Sequence, residues 1–443
     1  MPTVPFAVVQ IRASQIAAVT GGTLAGPDVA VDGAHYDSRE LQPGQLFVPL
    51  VAARDGHDFV AAALAAGAAA YLADRQPTAG GTAIVVDDTE EALTALARWV
   101  RSHLDVPVVG ITGSVGKTST KDLTAAALGA TRRVWANERS FNNQWGLPVT
   151  VLGTPPGTEV LVLEMGMNAF GEIATLASIG RPTVGVVTNV AGAHTGPLGG
   201  IDGVARAKRE LVEALPASGT AVLNVDDPRV AAMAPATEAS VLTFGETGDV
   251  RIGELVLDEL ARPAFRVDSP WGHADVRLAV SGRHMAWNAA AAVAVVGAVT
   301  GSIEAAAGAL ADAGVSGRRM EVGRSRSGAV VVNDAYNANP DSMRAALDAL
   351  AAIAASRRIA VLGPMAELDD PAAGHTQVAA DARERGIELV AIGTDLYGVT
   401  PVAASAASFD PTVLGPLGEE TAVLVKASNS ARLWLAADIL TAH

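Results

Sequence analysis

The sequence predicts an α/β protein of three domains, and three observations carry that expectation. Strand-length apolar runs alternate with longer helical stretches along the chain, the pattern that builds mostly parallel sheets. The 443 residues suffice for about three domains at ~150 residues each. Apolar residues make up 49% against 18% charged, which excludes a disordered chain.

Taken in order, residues 1–105 hold strand candidates at Leu46–Pro49 and Ile84–Val86, with a helical stretch at Phe59–Ala66 between them. Val106–Ile111 is a β-branched run ending in a glycine-rich turn, and it opens a second domain at residue 106. Further strands are expected at Val160–Leu163, Val184–Thr188 and Ala221–Val225. Residues 249–280 read as β-rich, with alternation in Ala274–Val280, and a helix covers Trp287–Val299. The polar, glycine-containing Val315–Arg319 places a boundary between residues 316 and 317. The remainder, residues 317–443, has strands at Ala329–Val332, Ile359–Leu362, Leu389–Ile392 and Ala422–Val425, which describes a small Rossmann-like domain. It lacks the G-x-G-x-x-G fingerprint, so no dinucleotide is expected there.

The charge balance narrows the possible partners. Lys and Arg number 32 against 47 Asp and Glu, a net charge of −15 that opposes broad contact with nucleic acid or anionic membrane. A local basic pocket for a phosphate ligand is compatible with it. The chain has no cysteine, which removes disulfides, thiolate metal sites and a thiol nucleophile. The start of the chain lacks a basic region followed by a long apolar core. The apolar stretches Phe59–Ala73 and Ala289–Val299 are shorter than the ~18 residues of a membrane span. A soluble, cytoplasmic protein is expected.

The strongest local signal is Val108-Val-Gly-Ile-Thr-Gly-Ser-Val-Gly-Lys-Thr-Ser119. A buried strand enters a tight loop through Gly113, Ser114 and Gly116, and a helix starts at Lys117. Backbone N–H groups and a helix N-terminus suit phosphate, so a nucleotide-binding loop of the P-loop kind, in an ATPase-like central domain, is expected here. Lys117 would reach the β- and γ-phosphates, and the Thr118 hydroxyl would bind magnesium. The loop is a variant, because Ile111 stands where the usual pattern has glycine. The plainer alternative is an ordinary glycine-rich βα turn.

Three more residues join the candidate site. Glu164 ends a strand, where α/β sheets bind ligands, and could hold magnesium or orient its water. His194 follows another strand, in Thr188-Asn-Val-Ala-Gly-Ala-His-Thr-Gly196, and is a candidate for metal or phosphate. Lys208 stands out by geometry. On a helix over Ile201–Leu215, residues Val204, Leu211, Val212 and Leu215 share one face, and Lys208 sits in its middle. A cation there is costly unless paired, neutralised or modified, with snorkelling as the plain alternative.

Together these residues resemble the Mur ligase family of ATP-dependent amide-forming enzymes of peptidoglycan synthesis, over nearly the whole chain. The segment from Gly110 to Asp122 is similar to the family's ATP loop, where Ser119 follows Lys117 and Thr118. By the resemblance, Glu164 and His194 bind magnesium, and Lys208 matches a lysine whose carbamate helps hold a second one. Asp37-Ser-Arg-Glu-Leu-Gln-Pro-Gly-Gln-Leu-Phe-Val-Pro-Leu50 and Asp55-Gly-His-Asp-Phe59 resemble a uridine-nucleotide-binding domain, which implies substrate contacts for Ser38 and Arg39. Ser140-Phe-Asn-Asn-Gln-Trp-Gly-Leu-Pro148 is similar to the segment at the tripeptide end of the substrate, which implies Asn142 and Asn143. Gly282-Arg-His-Met-Ala-Trp-Asn288 resembles the stretch whose Asn, here Asn288, meets adenine. Gly317-Arg-Arg-Met-Glu321 and Asn333-Asp-Ala-Tyr-Asn-Ala-Asn-Pro-Asp-Ser-Met343 resemble ATP-contacting motifs of the C-terminal domain. They imply Arg319 at the γ-phosphate, Asp334 at the ribose, and Tyr336 and Asn337 along the nucleotide edge. Taken singly, each of these segments also reads as common turn or cap chemistry.

The resemblance implies ATP and magnesium as cofactors, with UDP-N-acetylmuramoyl-tripeptide and D-alanyl-D-alanine as substrates of a monomeric enzyme. The chain departs from the family pattern at Pro364 in Leu362-Gly-Pro-Met-Ala-Glu-Leu-Asp369, and at Ala427 and Asn429 in Lys426-Ala-Ser-Asn429. Asn429 replaces an arginine, a bidentate carboxylate binder, so the departures bear on the amine substrate. The alternatives are a Mur-type ligase for another amine, a non-catalytic nucleotide-binding homologue, or a P-loop ATPase coupled to motion.

Overall fold

A computed structural model describes residues 10–192, 198–366 and 368–443. The chain divides into two compact units. The first comprises Met1–Gly110, Arg132–Met167 and Gly171–Thr183, and the second comprises Ile111–Thr131, Asn168–Phe170 and Val184–His443.

In the first unit a five-stranded sheet runs in the order Thr23–Ala25, Ala83–Val85, Ala70–Ala73, Leu46–Phe47, Ala34–His35. Its first pair is antiparallel and the others are parallel. Helix Thr89–Ser102 buries Leu93, Leu96 and Val100, and Asp88 caps it by accepting from Glu90 N and Glu91 N. The helix expected at Phe59–Ala66 is found at Val60–Ala65, preceded by a 3₁₀ turn at Gly56–Phe59. The cause is local. Asp55 caps the turn through His57 N, and a Cβ on Gly56 would meet Leu50 N at 2.5 Å. Farther on, Val134–Ala136 pairs in parallel with Val160–Glu164.

In the second unit, Val184–Val187, Thr220–Asn224, Ser240–Gly245 and the start of Val250–Leu257 pair in parallel. The β-rich stretch then continues antiparallel through Pro263–Ser269 and Gly272–Arg277. Helix Met285–Thr300 is buried on nearly every side, as its Ala and Val content requires. Helix Ile201–Glu213 buries Val204, Ala207, Leu211 and Val212.

A second sheet in this unit runs in the order Glu321–Arg324, Val330–Asn333, Thr421–Lys426, Arg357–Leu362, Glu388–Ala391. All pairs except the first hairpin are parallel. Val331, Ile359, Val361, Val423 and Val425 build its core, the continuous β-branched runs of strands covered on both faces. Three strands end at Asn333, Leu362 and Lys426, so the segments that follow meet at the carboxyl edge, where open α/β sheets place ligands. Among the described residues, no helix is long and apolar enough to cross a membrane.

Candidate active site

The glycine loop needs its glycines for space as well as for conformation. Gly113 has φ 154°, and a Cβ there would lie 1.8 Å from Thr188 Oγ1. Gly116 has φ 85°, and its Cβ would lie 2.6 Å from Asn288 Oδ1. Ile111 is buried within strand Val108–Thr112, so the loop opens only at Gly113 and the position needs no glycine.

A second segment clamps this loop. Asn189 Oδ1 accepts from Val115 N at 2.9 Å, and Asn189 Nδ2 donates to Val115 O at 3.0 Å. Thr188 Oγ1 donates to the same carbonyl at 2.7 Å. Ser114 Oγ donates to Ala191 O and accepts from Ala191 N. Lys117 Nζ donates to Gly113 O at 2.8 Å, which holds the ammonium over the loop at the N-terminus of helix Lys117–Gly129. Thr118 and Ser119 are buried in the first turn.

Beside the loop lies a cavity of about 510 Å³, lined by Gly116, Asn189, Asn224, Phe244, Trp287, Asn288, Asp341 and Asp348 among others. Aromatic faces beside amides and a glycine loop suit a purine base carrying phosphates. Trp287 Nε1 donates to Asp226 Oδ2 at 2.7 Å, which fixes the indole plane, and the Arg283 guanidinium lies 5.8 Å from the ring centroid. The structure thus brings Asn288 to the loop. Sequence reasoning does not single out Asn189, Asn224 or Trp287. Asn189 and Trp287 stand inside segments that it does mark, so only their side-chain directions are hidden from it.

Lys208 is 4% exposed on helix Ile201–Glu213. Burial drives its amine well below the usual lysine range, and the nearby Lys117 charge adds to the effect. Among the described residues no carboxylate pairs with it. A lysine held neutral is a nucleophile able to take up carbon dioxide, and the resulting carbamate is an anion in place of a cation. His194 lies outside the described residues. Among those described, no group of three or more His, Asp or Glu is placed to hold a metal.

In the first unit, Glu164 is 1% exposed at the end of its strand. Its N–H donates to Asn137 Oδ1, and its Oε1 accepts from Asn142 Nδ2, both at 2.6 Å. Asn142 therefore orients the carboxylate. Asn143 does different work, since its Oδ1 accepts from Trp145 N and Gly146 N and so caps helix Gly146–Leu152. Ser38 and Arg39 line another cavity of about 510 Å³ with Tyr36, Arg54, Phe59 and Trp145. Arg39 is largely exposed and hydrogen-bonds Asp37, whose carboxyl it holds down at about 2.

In the second unit, the Arg319 guanidinium lies 3.8 Å from the Tyr336 ring centroid, and its Nη1 donates to Ser316 O at 2.9 Å. Asp334 is engaged internally. It accepts from Lys426 Nζ at 2.5 Å and from Met320 N at 3.1 Å. Asn337 receives Lys426 Nζ on its carbonyl at 2.8 Å, while its Oδ1 accepts from Ala338 N.

The three departures from the family pattern lie together at the carboxyl edge of the sheet. Pro364 O accepts from Ser428 N, and Ser428 Oγ accepts from Ala366 N. Ala427 is fully buried against Gly363, and Asn429 is exposed at the start of a 3₁₀ turn. His375, itself buried, accepts from Met365 N on Nε2 and donates from Nδ1 to Pro371 O, so this loop is held from beneath.

Comparison with known proteins adds an independent line. Residues 111–296 match the family model of the Mur ligase middle domain, and residues 318–428 match that of the Mur ligase, glutamate ligase domain. The UDP-N-acetylmuramoyl-tripeptide--D-alanyl-D-alanine ligase of Mycobacterium bovis is 41% identical, with 98% of each chain covered. The Escherichia coli ligase of the same name is 34% identical over 92% of this chain and 91% of its own. Among solved structures, MurF from Acinetobacter baumannii superposes with a TM-score of 0.88 at 29% identity, covering 98% of this chain and 99% of that one. Thermotoga maritima MurF in complex with ADP gives a TM-score of 0.81 at 26% identity, covering 93% and 97%.

Proposed function

The chain belongs to the Mur ligase family, and on that premise we propose that it joins D-alanyl-D-alanine to UDP-N-acetylmuramoyl-tripeptide with conversion of ATP to ADP and phosphate. Whole-length similarity to ligases of that name supports this reading. The structural observation that carries it is Lys208, a buried amine with no carboxylate partner among the described residues, whose proton affinity Lys117 further lowers. Such a residue is a liability in a plain nucleotide-binding module. It has a use where an anion must be made close to the phosphate loop.

The chemistry follows from the substrates. A carboxylate does not react with an amine as it stands, because hydroxide is a poor leaving group. The terminal carboxylate of the tripeptide attacks the γ-phosphorus of ATP. An oxygen–phosphorus bond forms, the β,γ-bridge breaks, and ADP leaves. The amine of D-alanyl-D-alanine then adds to the acyl carbon of the acyl phosphate, loses a proton, and expels phosphate. Two anions must meet in the first step. Lys117 and Arg319 bear that charge, and the loop N–H groups hold the phosphates in line. Thr118, Glu164, His194 and carbamoylated Lys208 would hold magnesium, whose role is to neutralise phosphate charge. Asn288 contacts adenine, and Asp334, Tyr336 and Asn337 border the nucleotide. Asp334 serves through its buried bond to Lys426. Ser38 and Arg39 serve the sugar-nucleotide substrate, and Asn142 orients the Glu164 carboxylate.

The reading includes a division into residues 1–105, 106–316 and 317–443. It also includes a cytoplasmic setting, where ATP and nucleotide-activated precursors are made, and a monomeric enzyme. Labelling the tripeptide carboxylate with ¹⁸O tests the mechanism. One labelled oxygen is expected in the released phosphate, and unlabelled phosphate would exclude an acyl phosphate.

A further inference from the structure

Asp122 lies five residues beyond Lys117 on the helix that opens at the phosphate loop. Its side chain reaches a distant part of the chain. Oδ2 accepts from both Ser316 N at 2.8 Å and Ser316 Oγ at 2.7 Å, across 194 residues of sequence. Oδ1 pairs with Lys121 Nζ at 2.9 Å. The carbonyl of the same Ser316 accepts Arg319 Nη1 at 2.9 Å. Ser316 thus links the phosphate-loop helix to the Arg319 guanidinium.

The backbone between these contacts is unusual. Gly317, Arg318 and Met320 have φ of +77°, +58° and +51°. Two of the three carry side chains, which this region disfavours. A strained run of this kind persists only where its surroundings dictate it. Here Asp122 grips one end, and Asp334 Oδ1, accepting from Met320 N at 3.1 Å, grips the other. The face of Tyr336 holds the guanidinium from the side at 3.8 Å.

We propose that Asp122 is a positioning residue, which carries the placement of the phosphate loop to Arg319 through Ser316 so that Lys117 and Arg319 address one phosphoryl group. The proposal rests on the reading of Arg319 as a phosphate-binding residue given above. Asp122 acts through Ser316 on Arg319.

The test is a double-mutant cycle on the full-length protein, read as kcat and as KM for the UDP-tripeptide. Asp122→Ala should lower kcat by about 10- to 30-fold and leave that KM within about 2-fold, the signature of a group needed in the transition state. Asp122→Asn keeps an acceptor for Ser316 and should lose only about 3-fold. In an Arg319→Ala background, Asp122→Ala should cost nothing further, because neighbours that act as a unit are not additive. Melting temperature is recorded for each variant. If the two losses multiply, or if Asp122→Ala keeps full kcat, the proposal is overturned. If Asp122→Ala does not fold, Asp122→Asn carries the same cycle, and a multiplied loss there overturns it equally. Full activity in Arg319→Ala alone would refute the phosphate role of Arg319 itself, a distinguishable failure.

Discussion

Asn142 Nδ2 donates to Glu164 Oε1 at 2.6 Å, joining a loop amide to a carboxylate 22 residues later in the chain. The Glu164 side chain is buried, and its own N–H is held by Asn137 Oδ1. A Cβ on Gly166 would lie 2.9 Å from Asn142, so the glycine makes room for the amide. The bond sets the direction in which the carboxylate presents itself. Partners that orient a metal ligand are worth about 10- to 100-fold in metal affinity or activity. Asn142→Ala is therefore expected to raise the magnesium concentration needed for ATP turnover by about 10-fold, with partial recovery at high magnesium. A magnesium titration identical to that of the parent protein would remove Asn142 from this role.

Lys208→Ala should lose most activity if the proposed carbamate forms there, because Lys208 is the one lysine on helix Ile201–Glu213. Added formate or acetate should restore part of it by supplying a small carboxylate in the space left by the side chain. Full activity of the variant without any addition would end the carbamate assignment.

The same lysine gives a stability prediction of definite sign. Burial drives its folded-state value well below 10.5, so between that depressed value and 10.5 the unfolded chain binds more protons than the folded one. Stability therefore rises with pH across that window, and the uncharged amine costs least near its top. In bicarbonate-free buffer, Lys208→Met should melt higher than the parent at pH 7, and the difference should narrow as pH approaches 10.5. A difference independent of pH would show that Lys208 titrates normally in the fold.

Gly116→Ala tests the loop without touching charge. The added methyl would meet Asn288 Oδ1 at 2.6 Å, at a φ of 85° where L residues are strained. The strain alone costs about 1–2 kcal/mol. We expect ATP binding to fall by at least about 10-fold, as a penalty of about 1.4 kcal/mol implies, when measured by calorimetry. Lys117→Ala should instead retain the loop and lose phosphoryl transfer. Unchanged turnover in Lys117→Ala would refute the loop assignment.

What the sequence reveals and what it hides divide by range. Strand Val108–Thr112, the loop to Lys117 and the apolar stripe around Lys208 are local patterns, and period and glycine spacing expose them directly. Asn142 with Glu164 and Asp122 with Ser316 are contacts across 22 and 194 residues, and no periodicity encodes a partner at that distance. Asn143 shows the opposite limit. Its neighbour Asn142 reaches the carboxylate while Asn143 caps a helix, and two adjacent asparagines look alike until the turn fixes their directions. The helical stretch read from Phe59 begins instead at Gly56 as a 3₁₀ turn, which Asp55 caps through His57 N.

The most direct measurement is phosphate release from ATP and magnesium with UDP-N-acetylmuramoyl-tripeptide, with and without D-alanyl-D-alanine, followed by the mass of the product. The account predicts release that requires both substrates, with the pentapeptide nucleotide as product. Release that ignores the dipeptide, or no release with both substrates present, would contradict it.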